Sequence, residues 1–251
     1  STASEVVALS PTQMSPLGGT FSFRRCNQCE LVYLSPRPQA TAIAPYYEDY
    51  LPHRGGSAWG RFAELVDRAQ TWTDDARVRL AKGAYPLKPG DRALDLGCGK
   101  PTFLSALRAS TGAECVGVDF SPGAFGEGPW PGITLVDGIT AQVPLEGKFQ
   151  LITLWHALEH EYDPLAVLRR VETLLAPGGA VVIEVPNYDS WTRKLHGPHW
   201  AGWHTPRHTV AFTPKTLGRA LEQANLNVER IRSHGTLDPY VLFWLGREEA
   251  K

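Results

Sequence analysis

Short apolar runs alternate with helical patterns along most of the chain, from residue 88 onward. Runs rich in valine, isoleucine and leucine predict strands over residues 92–96, 114–118, 133–136, 149–154, 180–185, 228–231 and 240–245. Asp163 and Thr213, each followed by a proline, predict two helix starts, and the turn Pro177-Gly178-Gly179 predicts a helix end. Strands that alternate with helices in this way predict an α/β fold, with a mostly parallel sheet and helices on both faces.

The first 87 residues show two different patterns. Residues 1–20 are rich in Ser, Thr, Pro and Gly and lack periodicity, which predicts a flexible tail. Residues 21–87 predict a small β unit followed by a helical lid, and residues 88–251 the main domain. The predicted helix before residue 87 has an apolar face formed by Phe62, Leu65, Val66, Ala69, Thr73, Ala76 and Leu80.

The strand over 92–96 leads into a glycine turn and then directly into a helical pattern. Asp95 lies within the strand, and Gly97, Cys98 and Gly99 form the turn. A turn of this kind before a helix leaves backbone N–H groups free to face a ligand. The next strand ends at Asp119. Because the carboxyl ends of the two strands of a βαβ unit are neighbours, this carboxylate can bind the two hydroxyls of a ribose.

The residues at positions 101 and 102, just after the turn, indicate which class of cofactor the turn can bind. A dinucleotide fingerprint needs Gly or Ala at position 102, where this chain has Thr102. Pro101 begins the helix and removes one N–H that could have faced a phosphate. Because S-adenosyl-L-methionine (SAM) has no phosphate, the turn favours SAM over nicotinamide and flavin cofactors.

Composition and charge exclude several classes of protein. The chain has 251 residues, of which 43% are hydrophobic, which is enough for one full domain and an appendage. A formal net charge of −1 gives no overall attraction to nucleic acid. No apolar run approaches the length of a membrane span, and the N-terminus lacks the basic-then-apolar pattern of a secretory signal. We therefore expect a cytoplasmic protein that neither binds nucleic acid nor spans a membrane.

Cys26 and Cys29 have the spacing of a zinc knuckle. A structural zinc needs four ligands, and the sequence offers no second cysteine pair; His53 would still leave the site one ligand short. The alternative is a knuckle without metal, held by the packing of its apolar side chains. No metal site is therefore predicted.

Seven motifs follow one another along the chain. They are Leu94-Asp95-Leu96-Gly97-Cys98-Gly99, Gly117-Val118-Asp119, Trp155-His156-Ala157-Leu158-Glu159-His160, Asp163-Pro164, Leu175-Ala176-Pro177-Gly178-Gly179, Glu184-Val185-Pro186-Asn187 and Pro206-Arg207-His208. In this order they resemble the motifs of the class I SAM-dependent methyltransferases. Within that class they are similar to a bacterial group related to ubiquinone-type O-methyltransferases with an N-terminal Cys-x-x-Cys segment. The resemblance implies a Rossmann-like, mostly parallel sheet of seven strands with helices on both faces, plus a small N-terminal β and helical cap.

The resemblance also implies roles in the binding of SAM and its product, S-adenosyl-L-homocysteine. Asp95 and the backbone of Gly97, Cys98 and Gly99 would hold the methionine end, and Asp119 would hold the ribose. The residues around the adenine and then the sulfonium would be Phe120, Asp137, Gly138, Ile139 and Trp155.

Histidines concentrate on the carboxyl side of the predicted sheet, where open α/β sheets bind ligands. One of them can remove the proton of a hydroxyl acceptor, because the pKa of histidine lies in the useful range. His156 ranks first, since its neighbours in sequence should contact the cofactor; its alternative role is packing beside the cofactor. His204 and His208 rank second. His160 is interpreted as a structural anchor of the loop that follows it.

The segment from 199 to 208 is aromatic and irregular, which predicts a wall of the acceptor pocket. Trp200 and Trp203 would line this wall, and Arg207 would bind an anionic substituent. Tyr47 is a further candidate for binding the acceptor, as part of a lid over the cofactor; its alternative role is core packing. The expected reaction is methyl transfer to a hydroxyl of a small-molecule, sugar or lipid-type acceptor. Transfer to carbon or nitrogen, and SAM binding without catalysis, are the alternatives.

Overall fold

The computed structural model describes residues 3–13, 15–47, 63–120, 123–126 and 128–233. Its strands are β1 Ser4–Pro11, β2 Thr20–Cys26, β3 Val32–Leu34, β4 Arg92–Leu96, β5 Glu114–Asp119, β6 Ile133–Asp137, β7 Phe149–Trp155, β8 Leu175–Glu184 and β9 Val210–Ala211. Its helices are α1 Ala63–Ala84, α2 Thr102–Thr111, α3 Pro164–Leu174, α4 Trp191–His196 and α5 Pro214–Gln223. None of the helices in these ranges combines the length and the hydropathy needed to cross a membrane.

The chain divides into two compact units, which we name after the sheets that they contain. The parallel unit comprises Leu51–Leu158 and Ala166–Glu184. The antiparallel unit comprises Ser1–Tyr50, Glu159–Leu165 and Val185–Lys251.

The parallel unit is built on a five-stranded sheet with the order β6-β5-β4-β7-β8, in which every neighbouring pair is parallel. Leu94, Leu96 and Leu151 on its central strands are fully buried, as expected for a sheet that helices cover. Phe103 and Leu107 of α2 belong to the same core cluster as Leu151. The predicted α/β class with a mostly parallel sheet is therefore confirmed.

The strands of this sheet differ from the prediction mainly at the end of the chain. The four strands β4 to β7 lie within one residue of their predicted bounds, whereas β8 begins at Leu175 instead of at residue 180. The strand predicted over 228–231 is wrong, because these residues lack strand structure and the side chains of Val228 and Ile231 are exposed. The strand predicted over 240–245, like Phe62 and His53, lies outside the described residues. Within those residues the sheet has five strands, and the seven that the resemblance implies are not shown.

The antiparallel unit contains a four-stranded sheet with the order β1-β2-β3-β9. The small β unit predicted after residue 21 is present as β2 and β3. The flexible tail predicted for residues 1–20 is wrong, because Ser4–Pro11 pairs with β2 along its length. A strand within a Ser- and Pro-rich stretch is hidden from local pattern, since its hydrogen bonds come from a partner strand elsewhere in the sequence.

Substitution of Gly117 in β5 tests how closely the core of the parallel unit is packed. A Cβ added there would lie 2.7 Å from Cys98 Sγ and 2.9 Å from Leu104 Cδ1. We expect Gly117→Ala to lower the free energy of unfolding by about 1–3 kcal/mol, measured by urea titration. Gly83→Ala in α1 is the control, because its added Cβ would meet no atom within 4 Å. The control should be neutral or stabilising by up to about 1 kcal/mol. Equal effects of the two variants would contradict this account of the packing.

Candidate active site

The turn between β4 and α2 lies at the carboxyl end of the central strand. Gly97 and Gly99 have φ angles of 73° and 51°, a region that favours glycine. A Cβ added at Gly97 would lie 2.5 Å from Ala157 Cβ, so the backbone leaves no room for a side chain there. The predicted order of strand, glycine turn and helix is therefore confirmed.

The backbone of this turn is hydrogen-bonded to β5. The N–H groups of Gly97 and Cys98 donate to the Val118 carbonyl at 2.8 and 3.0 Å, and the Gly99 N–H donates to Asp119 Oδ2 at 2.9 Å. The prediction that these N–H groups are free to face a ligand is therefore wrong. Parallel pairing is the physical reason, because it ends β4 beside β5 and brings these acceptors within reach of the turn.

Asp95 is a buried carboxyl group on β4. Its side chain is 2% exposed and accepts a hydrogen bond from the Thr153 hydroxyl at 2.7 Å. Burial disfavours the charged form and raises the pKa of Asp95 to about 7, although the Thr153 bond opposes this change. Burial also raises the pKa of the Cys98 thiol, which keeps that side chain neutral. A positively charged ligand group beside Asp95 would favour its charged form.

The next two strands end in acids that are followed by exposed apolar side chains. Asp119 of β5 is paired in register with Asp137 of β6, and the Gly138 N–H donates to the Asp119 carbonyl at 3.0 Å. Phe120 is 41% exposed and Ile139 is 52% exposed. Apolar side chains this exposed at the carboxyl ends of parallel strands suit an aromatic ring. The arrangement therefore fits the ribose and adenine roles that the resemblance implies.

His156 follows β7 and contacts the end of β8. It has a left-handed φ of 53°, and its N–H donates to the Glu184 carbonyl at 2.9 Å. The His156 Nε2 atom lies 3.5 Å from Glu184 Oε1, and Arg77 Nε of α1 lies 3.5 Å from Glu184 Oε2. A half-buried imidazole, a carboxylate and a guanidinium therefore lie together at the carboxyl end of the sheet.

Trp155 is a core residue next to this group. Its side chain is 7% exposed, with the Phe103 ring centre 5.3 Å away and the Arg77 guanidinium carbon 5.1 Å from its own ring centre. Its contact with the cofactor sulfonium stays a prediction.

Arg77 and Glu184 were not singled out as site residues from the sequence. The available signal for Glu184 was an acid at the last position of a mostly apolar strand. The site role of Arg77 could not be predicted, because a helical sequence pattern does not indicate which strand a polar side chain will contact.

The other predicted histidines lie in the antiparallel unit. His204 and His208 are buried, and their rings pack edge to face with each other and with the ring of His160. The Tyr47 hydroxyl lies 2.9 Å from His160 Nδ1. Tyr47, predicted to serve as a lid or a core residue, thus contacts the histidine that was predicted to have a structural role.

Arg207 is an interior residue of the antiparallel unit, with only 1% of its surface exposed. Its guanidinium donates to the carbonyls of Tyr46 and Gln13, both at 2.6 Å, and to His204 Nε2 at 3.1 Å. The prediction that Arg207 binds an anionic substituent is not supported by this arrangement.

The two tryptophans predicted to line the acceptor pocket are also interior residues. Trp200 and Trp203 are buried in one core cluster with β2, β3 and β9, and the Phe23 and Trp203 ring centres are 4.3 Å apart. A small sheet needs large apolar side chains to cover it. This need accounts for the aromatic content of the segment without a ligand.

Residues 64–231 match a family model described as a methyltransferase domain. The chain belongs to this methyltransferase family. The prediction of a SAM-dependent methyltransferase domain, with SAM as its cofactor, is confirmed at this level. The segment with Cys26 and Cys29 lies outside the matched residues.

Curated relatives of this chain have methyltransferase names, and a solved structure shares its fold. The demethylmenaquinone methyltransferase of Lysinibacillus sphaericus is 31% identical over 131 residues, which cover 47% of this chain and 54% of that protein. The ubiquinone biosynthesis O-methyltransferase of Xanthomonas campestris is 27% identical over 174 residues, 61% of this chain and 67% of that protein. The chain therefore spans little more than half the length of the first relative.

A Haloferax volcanii methyltransferase, solved in complex with the Trm112 methyltransferase activator, is 22% identical with a TM-score of 0.56. The matched region makes up 70% of this chain and 79% of the Haloferax volcanii chain. This likeness shows the fold alone.

We expect Asp119→Ala to weaken the binding of S-adenosylhomocysteine more than about 100-fold. The variant loses two ribose hydrogen bonds to a charged group, at about 1.5–3 kcal/mol each, and the Gly99 N–H loses its acceptor. Calorimetric titration measures the change, and Asp75→Ala, at an exposed position of α1, serves as the control. Wild-type affinity in Asp119→Ala would show that the ribose assignment is wrong.

The affinity for SAM should rise about tenfold between pH 6 and pH 8. Below its raised pKa of about 7, Asp95 holds a proton that must leave before the carboxylate can face the positively charged amino group of the cofactor. Binding therefore strengthens as the pH rises through 7. Titrations across this range should show that Asp95→Asn binds more weakly and loses the pH dependence. A wild-type affinity that is flat over this range would contradict the assignment of Asp95 to the methionine end.

Proposed function

We propose that the chain transfers the methyl group of SAM to a hydroxyl group of a small-molecule, sugar or lipid-type acceptor. The observation that carries this proposal is the contact of His156 with Glu184, whose other carboxylate oxygen contacts Arg77, where the paired strands β7 and β8 end. The same unit holds the predicted cofactor residues Asp95 and Asp119. Membership of the methyltransferase family supports methyl transfer, and the name of the Xanthomonas campestris relative supports oxygen as the accepting atom.

Bound SAM supplies the methyl group on a sulfonium leaving group. The protein's own tasks are then to bind and orient the reactants and to remove the acceptor proton. Asp95 would hold the methionine end, and Asp119 would hold the ribose. The exposed side chains of Phe120 and Ile139 would pack on the adenine.

His156 would act as the general base. Because its Nε2 atom lies beside the Glu184 carboxylate, the tautomer with a proton on Nε2 is favoured, and Nδ1 is then the nitrogen that accepts the proton. The Glu184 carboxylate would stabilise the imidazolium that forms, as acids do when they orient a catalytic histidine. Arg77 contacts the other carboxylate oxygen and would hold Glu184 in place.

Several finer assignments stay predictions. They are a seven-stranded sheet, a cytoplasmic location, a role for the Cys-x-x-Cys segment, His204 and His208 as alternative bases, and contacts of the acceptor with Tyr47, Trp200, Trp203 and Arg207.

Replacing His156 with Ala should lower the turnover rate by about 10²–10⁴, while the affinity for S-adenosylhomocysteine stays within a few-fold of wild type. At saturating SAM, where the pH dependence of Asp95 does not limit binding, the rate of the wild type should also rise with pH through a histidine-like pKa, and the variant should lose this limb. Glu184→Gln should lower the rate less, because the imidazole remains. His196→Ala, on α4, is the matched control. If His156→Ala turns over at the wild-type rate, the base assignment is wrong.

The accepting atom can be identified with isotope-labelled SAM and a panel of phenols, nucleotide sugars and hydroxylated lipids. We expect a labelled methyl group bonded to oxygen, detected by nuclear magnetic resonance of the product. A methyl group on carbon or nitrogen would replace the hydroxyl proposal with one of its alternatives. Tight cofactor binding without turnover on any acceptor would favour a SAM-binding module.

A further inference from the structure

Three histidines of the antiparallel unit bring their ring nitrogens together. One ligand atom from each of His160, His204 and His208 lies within 4.8 Å of the other two. His204 and His208 are 7% and 5% exposed, and His160 is half-buried. The three rings are close to perpendicular to one another, with interplanar angles of 79° to 85°. The rings therefore pack edge to face and are not stacked face to face.

The closest pair of nitrogens already has the spacing of two metal ligands. His204 Nδ1 and His208 Nε2 are 3.1 Å apart. Two nitrogens at about 2.0–2.1 Å from a tetrahedral zinc ion are separated by roughly 3.3 Å. A three-histidine site also needs a ring nitrogen of His160, which lies within 4.8 Å of the ligand atoms of the other two histidines.

Two of the three rings are oriented by hydrogen bonds of the kind that supports metal ligands. His208 Nδ1 lies 2.9 Å from the Gly202 carbonyl, which requires a proton on Nδ1 and turns Nε2 towards the cluster. His160 Nδ1 lies 2.9 Å from the Tyr47 hydroxyl. Metal-binding histidines typically use their second ring nitrogen in this way, which fixes both the tautomer and the ring orientation.

We propose that His160, His204 and His208 form a site for a divalent metal ion of the zinc class. Glu159 is the nearby acid: its buried Oε1 atom lies 3.8 Å from His208 Nε2 and supplies negative charge beside the ion. Imidazole nitrogens with one carboxylate are a donor set that suits zinc, cobalt and nickel. The site is distinct from the zinc knuckle of Cys26 and Cys29, with His53, that was considered from the sequence.

Metal binding requires a change of tautomer at His204. Without metal, Arg207 Nε donates to His204 Nε2, so the ring proton lies on Nδ1 and points to His208 Nε2. With metal on Nδ1, that proton moves to Nε2, and the hydrogen bond from Arg207 Nε is lost. The alternative explanation of the cluster is a metal-free chain of hydrogen bonds from Arg207 through His204 and His208 to the Gly202 carbonyl. The experiment must distinguish this chain from a metal site.

The test measures metal binding, and it needs no methyl acceptor. The full chain is stripped with a chelator, titrated with zinc and with cobalt, and analysed for bound metal. We expect one ion per chain and the visible absorption of tetrahedral cobalt. His208→Gln and His160→Gln should raise the dissociation constant at least about 100-fold, and Tyr47→Phe, which removes only an orienting bond, about tenfold. Affinity should fall as the pH falls, because protons compete for the histidines.

Two control variants locate the metal. His199→Ala removes an exposed histidine near the cluster in sequence, and Cys29→Ser removes the exposed cysteine of the knuckle. Both should bind zinc as the wild type does. Near-ultraviolet circular dichroism of the buried tryptophans shows whether each variant keeps the folded antiparallel unit.

Three results would overturn the proposal. They are less than about 0.1 ion per chain after titration, equal affinity in the folded histidine variants, and loss of the metal in Cys29→Ser. The first result would mean that the cluster is held by the metal-free chain of hydrogen bonds alone. None of these results bears on the role of His156 in methyl transfer.

Discussion

Parallel pairing of β4 between β5 and β7 is the constraint on which the cofactor region depends. It aligns the carboxyl ends of the strands, so Asp95 and Asp119 follow from strand register and not from loop conformation. It also places the Val118 carbonyl beside the glycine turn, which takes up the turn's own N–H groups. The same pairing therefore also fixes the backbone of the turn.

Asp95 is buried and Glu184 is half-buried, and the parallel unit offsets the desolvation of these two acids in different ways. Asp95 accepts its hydrogen bond from a neutral hydroxyl, and desolvation raises its pKa to about 7. Glu184 instead has the Arg77 guanidinium beside one oxygen and the His156 imidazole beside the other. The first arrangement suits a group that becomes charged when a cation arrives. The second suits a carboxylate that holds a histidine in position while the histidine takes up a proton.

The antiparallel unit shows how a segment built for packing can resemble a binding segment in sequence. Trp200 and Trp203 cover its small sheet, and Arg207 joins carbonyl groups from separate parts of the chain. A buried guanidinium is stable only when several acceptors surround it, and here backbone carbonyls and His204 fill that role. Aromatic and basic residues in an irregular stretch therefore do not by themselves distinguish a pocket from a core.

The sequence by itself determined the α/β class, the bounds of β4 to β7 and the positions of Asp95 and Asp119. These depend on local periodicity and on the rule that a βαβ unit brings consecutive strand ends together. The tertiary structure alone decided that Ser4–Pro11 is a strand, because its hydrogen bonds come from a distant partner. It also decided that Arg207 is interior, that Glu184 contacts both His156 and Arg77, and that His160 joins His204 and His208. Each of these contacts joins residues far apart in the chain, and the periodicity of a single segment carries no information about its partner.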